Sequence, residues 1–215
     1  FTVSTSSGHH TTKRLLLATG LRDRLPECDC FHDFYGKSAF HCADCDGYEY
    51  SGKEVVAFGK GRSLIKYAVS LLTWTDQVTV VNCGAPYSEE QQEQLKALRI
   101  KVFEGDLSVL EGSDGKLVGI ELKNGERIPC EALFFNLGYD PVGELHIQLG
   151  CETDPKEGLV LVDDRYETSV KNVYAAGDLT PGSNLAIVAA ADGARAAIQI
   201  HKSLLPEEHS ILEEI

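Results

Sequence analysis

The chain has 215 residues, of which 43% are hydrophobic and 25% are charged, and its formal net charge is −13 at pH 7. This composition is typical of a globular protein with one large core or two smaller ones, and no apolar run approaches the roughly 20 residues that span a bilayer. Because nucleic acids and anionic membrane surfaces repel an acidic protein, the charge excludes both as partners. Because residues 1–12 lack the basic region and apolar stretch of a signal peptide, and no run could span a bilayer, we expect a cytoplasmic protein.

The predicted elements alternate between strands and helices along most of the chain. Strands are predicted at 1–5, 15–18, 54–58, 78–81, 101–103, 117–122, 127–128, 132–137, 159–162 and 173–176. Helices are predicted at 64–72, 89–98 and 186–205. Residues 21–40 carry no regular pattern, and Asn124-Gly125 predicts a hairpin. The alternation predicts an α/β fold of the doubly wound, three-layer, dinucleotide-binding type.

The turn between the strand at 54–58 and the next helix resembles a dinucleotide fingerprint, whose glycines let a pyrophosphate approach a helix N-terminus. The candidate NAD(P)-binding residues are Gly59, Gly61, Arg62 and Ser63. Leu64, however, replaces the small third residue of the fingerprint. The next strand ends in Asn82-Cys83-Gly84, without the charged residue that selects NAD or NADP. NAD(P)H use therefore stays open, with a purely structural turn as the alternative.

Seven cysteines are present, and only Cys42 and Cys45 form a CxxC motif. This spacing permits a disulfide, and in a reducing compartment such a pair is typically redox-active or metal-binding. Asp46 directly follows and is a candidate to move a proton when a thiolate forms or leaves. His41 directly precedes the pair and is placed to tune it electrostatically.

The competing interpretation of these cysteines is a metal site. Cys28, Cys30, Cys42 and Cys45 together supply the four thiolates of a structural zinc site. The first pair, however, is CxC rather than CxxC, and no glycine knuckle surrounds it. We predict a redox pair and no bound metal, and we keep a zinc-stabilised, non-redox binding module as the alternative.

Five motifs follow one another in a fixed order. They lie at 17–20 (LATG), 42–47 (CADCDG), 55–64, 133–141 and 173–178 (VYAAGD). In this order they resemble the low-molecular-weight thioredoxin reductases, which are FAD-dependent pyridine nucleotide-disulfide oxidoreductases. The resemblance implies a discontinuous flavin domain around an NAD(P)-type domain. We expect a remnant of the flavin domain at 1–24, the NAD(P)-type domain with the CxxC at 25–138, and the returning part of the flavin domain at 139–215.

The resemblance also implies roles for individual residues. FAD-binding residues are implied at Thr19, Gly20, Gly177, Asp178, Leu185 and Ala186. Asp178 would accept a hydrogen bond from a ribityl hydroxyl of FAD. Cys45 would be the sulfur next to the flavin and Cys42 the sulfur that exchanges with substrate, while Asp46 handles the proton. The implied enzyme is a homodimer that passes electrons between flavin and the pair, and on to a thioredoxin-like protein or a small disulfide or dithiol.

The sequence departs from the family in three ways, one of which is that Leu64 crowds the fingerprint turn. The family's opening GxGxxG unit, which holds the FAD pyrophosphate, is absent, and the chain has no methionine. We therefore expect a fragment that binds FAD poorly without its missing N-terminal unit. The family's basic cluster for the NADPH 2′-phosphate is replaced by Asn82-Cys83-Gly84. This replacement leaves as alternatives a dithiol oxidase or a ferredoxin-linked reductase that does not use NADPH.

Overall fold

The computed structural model describes residues 1–206, and the chain divides into two compact units. One unit comprises residues 23–138, and the other comprises residues 1–22 together with the chain from Tyr139 onward. The sequence predicts boundaries at 24/25 and 138/139, and the two units divide at 22/23 and 138/139. Residues 207–215, the end of the expected segment 139–215, lie outside the described part of the chain.

Short strands and helices alternate along the chain. The strands are β1 (Thr2–Thr5), β2 (Gly8–Thr11), β3 (Leu15–Leu17), β4 (Leu21–Asp23), β5 (Ala39–Phe40), β6 (Val55–Gly59), β7 (Val78–Asn82), β8 (Lys101–Glu104), β9 (Leu107–Ser113), β10 (Lys116–Leu122), β11 (Arg127–Pro129), β12 (Ala132–Asn136), β13 (Tyr139–Pro141) and β14 (Val173–Ala175). The helices are α1 (Phe31–Phe34), α2 (Ala43–Asp46), α3 (Gly61–Leu71), α4 (Glu89–Ala97), α5 (Leu145–Gln148) and α6 (Ala186–Ser203). Two 3-10 turns span Gly47–Tyr50 and Gly177–Leu179.

A five-stranded parallel sheet in the order β5-β12-β6-β7-β8 forms the centre of the 23–138 unit. The pairing of Val55 with Val78 confirms that the strands on either side of the glycine turn are parallel. Every residue of β6 is buried, as expected for a strand covered on both faces. Because successive side chains point to opposite faces, Val55 and Ala57 join one core cluster, whereas Val56 and Phe58 join another.

Different layers cover the two faces of this sheet. Helix α3 packs Leu64, Ala68 and Leu71 into one of the two clusters. The antiparallel sheet β11-β10-β9 covers the other face with residues that include Leu107 and Ile120. The α/β three-layer prediction is therefore confirmed, although one outer layer of this unit is a sheet rather than a set of helices.

The hairpin predicted around Asn124-Gly125 forms between β10 and β11, and Gly125 has the positive φ that such a turn requires. Strand β9 pairs with the other edge of β10 and was not predicted. Register shifts between Leu117 and Gly119 and between Glu121 and Leu122 interrupt the pairing. Irregular pairing of this kind blurs the alternation of apolar and polar residues by which strands are recognised in a sequence.

The predicted strand at 159–162 is wrong, because Val160 and Val162 form only isolated bridges to Thr153 and Thr168. Leu159 and Val160 are nevertheless buried. The apolar pattern there reflects burial rather than pairing in a ladder. Residues 21–40, which carry no regular pattern, contain β4, α1 and β5, each too short to give a periodic signal.

In the unit that begins at Phe1, β3 and β14 pair in parallel, with Leu17 opposite Ala175. Both residues belong to a core cluster that also includes Leu179. The final helix, α6, packs near this pair, but Ile187 and Ile198 on it are 77% and 55% exposed. No helix within residues 1–206 is both long enough and apolar enough to cross a membrane.

Candidate functional site

The CxxC motif lies directly after β5, at the carboxyl end of the parallel sheet. Cys42 is the N-cap residue of α2, and Cys45 lies one turn later, so the two Cα atoms are 5.3 Å apart and the sulfurs form a disulfide. Cys42 is half-buried, and Cys45 is exposed. The predicted pair is therefore assembled and accessible from solvent.

Backbone donors around the disulfide are directed at Cys42. The amide N–H of Cys45 donates to Sγ of Cys42 across 3.1 Å, and the amide of Asp46 donates to the Cys42 carbonyl across 3.3 Å. An N–H group pointing at sulfur stabilises negative charge on it. Once the disulfide is opened, this arrangement favours a thiolate on Cys42.

The CADCDG segment packs closely against Trp74 through Gly47. A Cβ at Gly47, the last residue of the CADCDG motif, would overlap the indole ring of Trp74. The backbone at position 47 can therefore approach this ring so closely only because the residue is glycine. Sequence analysis detected Gly47 within the motif but gave no indication of its partner, because Trp74 lies beyond the end of α3.

Asp46 is partly shielded from water, which raises the pKa of its carboxyl above the ordinary value. The negative charge of Glu49 raises this pKa further, and the charge of His41 opposes the rise. A carboxyl with a raised pKa holds its proton closer to neutral pH, where it exchanges protons with thiols more effectively. The direction of this pKa shift is compatible with the predicted role of Asp46 as proton carrier.

Two residues near the pair were missed by sequence reasoning, and both act on His41. Nδ1 of His41 lies 3.1 Å from Oδ2 of Asp23, and the Tyr35 hydroxyl donates to the same oxygen across 3.0 Å. Burial, and then the hydrogen bond to Asp23, raise the pKa of Tyr35 to about 12, so its hydroxyl stays protonated at neutral pH. No sequence spacing indicates this contact, because the three residues come from separate elements.

The glycine turn carries the predicted NAD(P) residues at the junction of β6 and α3. Gly61, Arg62 and Ser63 are exposed, and the Ser63 hydroxyl donates to the carbonyl of Lys60 across 3.1 Å. Gly59 is buried against the backbone of β12, where a Cβ would overlap the carbonyl oxygen of Asn136. The first glycine therefore serves close packing of two strands.

The chain's own groups bond two carbonyl oxygens of this turn, whereas a pyrophosphate would be bound by the N–H groups. The amide and the thiol of Cys83 both donate to the Gly59 carbonyl, across 2.8 and 3.2 Å, and the Tyr87 hydroxyl donates to the Gly61 carbonyl across 3.3 Å.

At the end of β7, the Asn82 side chain is buried and bonds only its own loop, at the Ala85 carbonyl and the Gly84 amide. No carboxylate takes the place of the ribose acceptor there, and Leu64 is fully buried beneath the turn. The end of β7 therefore supplies neither the acidic residue of an NAD site nor the basic residue of an NADP site.

The residues predicted to bind FAD lie at one edge of the β3–β14 pair. Because these strands run parallel, the turns after their carboxyl ends, Thr19-Gly20 and Gly177-Asp178, emerge on the same side. Gly20 and Gly177 have φ of +69° and +74°, conformations that glycine adopts without strain. The structure therefore brings four of the six predicted residues to one place.

Asp178 tests whether this edge fits a flavin. Its Oδ1 is buried and has no hydrogen-bond partner among the described residues. A buried acceptor without a donor is unfavourable, so a ligand hydroxyl at this position would stabilise the fold. Leu185 and Ala186 form the start of α6, which has no side-chain cap. The N–H groups at the exposed start of α6, which no side chain caps, and the unpaired carboxylate oxygen of Asp178 both fit FAD.

The zinc alternative finds no support in residues 1–206. No three histidine, cysteine, aspartate or glutamate side chains there are grouped so that they could hold a metal ion. Burial raises the pKa of Cys28 to about 11, which disfavours the thiolate that zinc requires.

Comparison with known proteins gives concordant matches. A family model described as pyridine nucleotide-disulphide oxidoreductase matches residues 2–193. The thioredoxin reductases of Treponema pallidum and Peptoclostridium litorale are each 30% identical to the chain, over 207 and 213 residues. Each alignment covers 92% of this chain, and they cover 66% and 67% of the respective relatives.

A crystal structure of a putative thioredoxin reductase from Bacillus anthracis has a TM-score of 0.83 at 27% identity, covering 94% of this chain and 72% of that one. These matches confirm the FAD/NAD(P)-binding fold class and the resemblance predicted from the five motifs. The chain spans about two thirds of the length of the curated relatives it matches.

Proposed function

This chain belongs to the pyridine nucleotide-disulphide oxidoreductase family, and we propose that it acts as an FAD-dependent thiol/disulfide oxidoreductase of the thioredoxin reductase type. The observation that carries the proposal is the solvent-accessible Cys42–Cys45 disulfide, with the amide N–H of Cys45 directed at the Cys42 sulfur. Its partner would be a thioredoxin-like protein or a small disulfide or dithiol, and the enzyme would be a cytoplasmic homodimer.

The proposed reaction uses the two sulfurs in sequence. The reduced pair presents Cys42 as a thiolate, which attacks a sulfur of the substrate disulfide and forms a mixed disulfide while one substrate thiolate leaves. Cys45 then loses its proton and attacks Cys42, which restores the Cys42–Cys45 bond, and the departing substrate sulfur takes up that proton and leaves as the second thiol. Asp46 accepts the proton of Cys42 and returns it to the first leaving thiolate. Two electrons pass from the pair to the substrate, and a dithiol substrate would run the same steps backwards.

FAD, when bound, would exchange this electron pair with Cys42 and Cys45. In the proposed site the Asp178 carboxylate accepts from a ribityl hydroxyl, and Thr19, Gly20 and Gly177 let the backbone approach the ligand closely. The start of α6 at Leu185 and Ala186 would stabilise negative charge on the reduced ring, because the N-terminal end of a helix is positive.

Removing the Asp178 carboxylate is expected to weaken FAD binding by about 10- to 100-fold, the contribution of a hydrogen bond to a charged group. The measurement is titration of the full-length apoprotein carrying Asp178→Ala with FAD, followed by quenching of flavin fluorescence. Asp164→Ala is the matched control, because Asp164 is exposed in the same unit. Equal affinities of the two variants would refute the proposed role of Asp178.

A second candidate function is favoured by the glycine turn and the loop after β7, where Asn82-Cys83-Gly84 supplies neither the carboxylate that holds an NAD ribose nor the basic side chain that holds an NADP phosphate. An enzyme with such a turn would use a donor other than NADPH, as a ferredoxin-linked reductase, or would run as an oxidase of dithiols. In both cases the redox pair and the flavin site keep the roles given above.

Anaerobic mixing of the FAD-loaded full-length protein with NADPH or NADH separates the two candidates. We expect the flavin absorbance to persist with either nucleotide and to bleach with a dithiol or with reduced ferredoxin. Cys45→Ser serves as the control, because it should abolish bleaching by the dithiol. Prompt bleaching by NADPH would instead establish the NADPH-dependent reductase and remove the second candidate.

A further inference from the structure

Three acidic residues lie in and directly after the redox motif. Asp44 lies between the two cysteines, Asp46 follows Cys45, and Glu49 lies in the 3-10 turn that continues from α2. Asp44 and Glu49 are exposed, as is Cys45. Consecutive Cα atoms are about 3.8 Å apart, so the Asp44 carboxylate stays within roughly 10 Å of the Cys45 sulfur in every rotamer. A substrate that reaches the disulfide therefore also comes close to exposed negative charge.

The basic residues of this segment do not cancel that charge. Residues 38–52 contain no lysine or arginine. Nζ of Lys53, which follows them, lies 3.7 Å from Oε1 of Glu131, and Nδ1 of His41 lies 3.1 Å from Oδ2 of Asp23. Within residues 1–206, no lysine or arginine forms an ion pair with any of the three acidic side chains. The surface around the disulfide is thus negative.

Tyr48 adds a second feature that suits a cation. Its side chain is 71% exposed, and its ring meets Trp74 edge to face with centroids 6.1 Å apart. The face of an aromatic ring attracts an ammonium group. The chain itself provides an example in the same turn, where the Lys53 ammonium lies 5.2 Å from the centroid of the Tyr50 ring. An exposed ring beside exposed carboxylates therefore offers a cation two favourable kinds of contact.

We propose that the Cys42–Cys45 pair selects disulfides flanked by cationic groups over those flanked by anionic groups, with Asp44 and Glu49 as the specificity-determining residues. The inference rests on the proposed function, because it names the substrate class of the same redox pair. The Cys42 thiolate bonds to one substrate sulfur, the substrate S–S bond breaks, and the other half leaves with the electron pair of that bond and takes up a proton. During this approach the carboxylates attract a cationic flank and repel an anionic one.

The test compares three small disulfides of similar length that differ in charge. Cystamine carries two ammonium groups, hydroxyethyl disulfide is neutral, and dithiodipropionate carries two carboxylates at about pH 7.5. The full-length protein is reduced with a dithiol, freed of reductant and mixed anaerobically with each probe in about 0.1 M salt, and the small thiol released is measured by chromatography. The measured quantity is the ratio of the rate with cystamine to the rate with dithiodipropionate.

Two references remove other causes of a rate difference. Free dithiothreitol, a neutral dithiol, gives the ratio that follows from the intrinsic reactivity of the probes. The double variant Cys42→Ser, Cys45→Ser gives the background from the other cysteines, which is subtracted. Because each substitution of a carboxylate affects the reactivity of the Cys42 thiol equally for all probes, the ratio isolates the effect on substrate charge.

The variants are Asp44→Asn, Glu49→Gln and the two combined. Glu104→Gln is the matched control, because Glu104 is an exposed carboxylate at the end of β8, the edge of the sheet opposite β5. Four strand spacings separate β8 from the strand that leads into the redox motif, about 19 Å, which is roughly twice the screening length in 0.1 M salt.

We expect the unmodified protein to have a ratio at least about fivefold above that of dithiothreitol. Asp44→Asn and Glu49→Gln should each lower the ratio by about two- to fourfold, and the combined variant by about four- to tenfold. Glu104→Gln should leave it unchanged. In about 1 M salt, where the screening length is about 3 Å, the ratio of the unmodified protein should fall to that of dithiothreitol.

Two results would overturn the inference while leaving the proposed function intact. One is an unmodified protein whose ratio equals that of dithiothreitol in 0.1 M salt. The other is a combined variant that keeps the ratio of the unmodified protein, including the case in which only its melting temperature falls. A reduced protein that exchanges with none of the three probes would instead overturn the proposed function, and this inference with it.

Discussion

Replacing Cys42 or Cys45 by serine is expected to lower thiol/disulfide turnover by about a thousandfold or more, because a hydroxyl neither forms the disulfide nor accepts the electron pair. The two variants should differ in what they accumulate. Cys45→Ser retains the sulfur that receives the amide N–H and should trap the substrate as a stable mixed disulfide on Cys42. Cys42→Ser should trap little. Turnover of a small disulfide and mass spectrometry of the trapped adduct measure both effects.

Cys30→Ser is the matched control for this prediction. Cys30 is a free, exposed cysteine in the same unit, so its loss removes a reactive thiol without touching the pair. Turnover should be unchanged. Should Cys45→Ser and Cys42→Ser both retain full turnover, the redox assignment would be wrong. A stable adduct on Cys42→Ser instead of Cys45→Ser would reverse the roles of the two sulfurs.

Gly59→Ala is expected to lower the free energy of unfolding of the 23–138 unit by about 3 kcal/mol, the sum of overpacking and of a backbone conformation unfavourable to L residues. A Cβ at this position would overlap the carbonyl oxygen of Asn136 in the neighbouring strand. That oxygen belongs to the backbone of a buried parallel sheet and has no room to move. Chemical denaturation followed by fluorescence of Trp74, the sole tryptophan of the chain, reports on this unit.

Gly61→Ala separates packing from backbone strain. Gly61 also has a positive φ, +67°, but a Cβ there would meet nothing within 4 Å. Its replacement should lower stability by only about 1 kcal/mol, the strain of that conformation alone. Equal losses for Gly59→Ala and Gly61→Ala would contradict the packing explanation. FAD affinity should be unaffected in both, since the proposed flavin residues lie in the other unit.

Several features of the fold follow from the sequence with little ambiguity. The buried strand, glycine turn, helix and second strand were all predicted, because each leaves a local pattern within a few residues. Asn124-Gly125 predicted its hairpin for the same reason, since the turn needs a residue that tolerates positive φ and Gly125 supplies it. The predicted strand at 159–162 failed because an apolar run reports burial, and burial alone does not determine which backbone groups pair.

The candidate site divides in the same way. The CxxC spacing by itself determined that Cys42 and Cys45 could form a disulfide. A separation of three residues keeps the two sulfurs within bonding reach, independently of how the rest of the chain folds. Only the tertiary structure decided that Asp23 holds His41 and that Gly47 lies on Trp74.

The glycine turn shows the same division between local pattern and tertiary contact. The sequence determined a glycine turn with an unusual Leu64 and no charged residue at 82–84. Only the tertiary structure decided that Cys83 and Tyr87 bond the carbonyls of that turn. Residue spacing predicts short-range geometry, because the backbone has few allowed conformations. Contacts between distant residues depend on how strands and helices pack, and no local pattern records that packing.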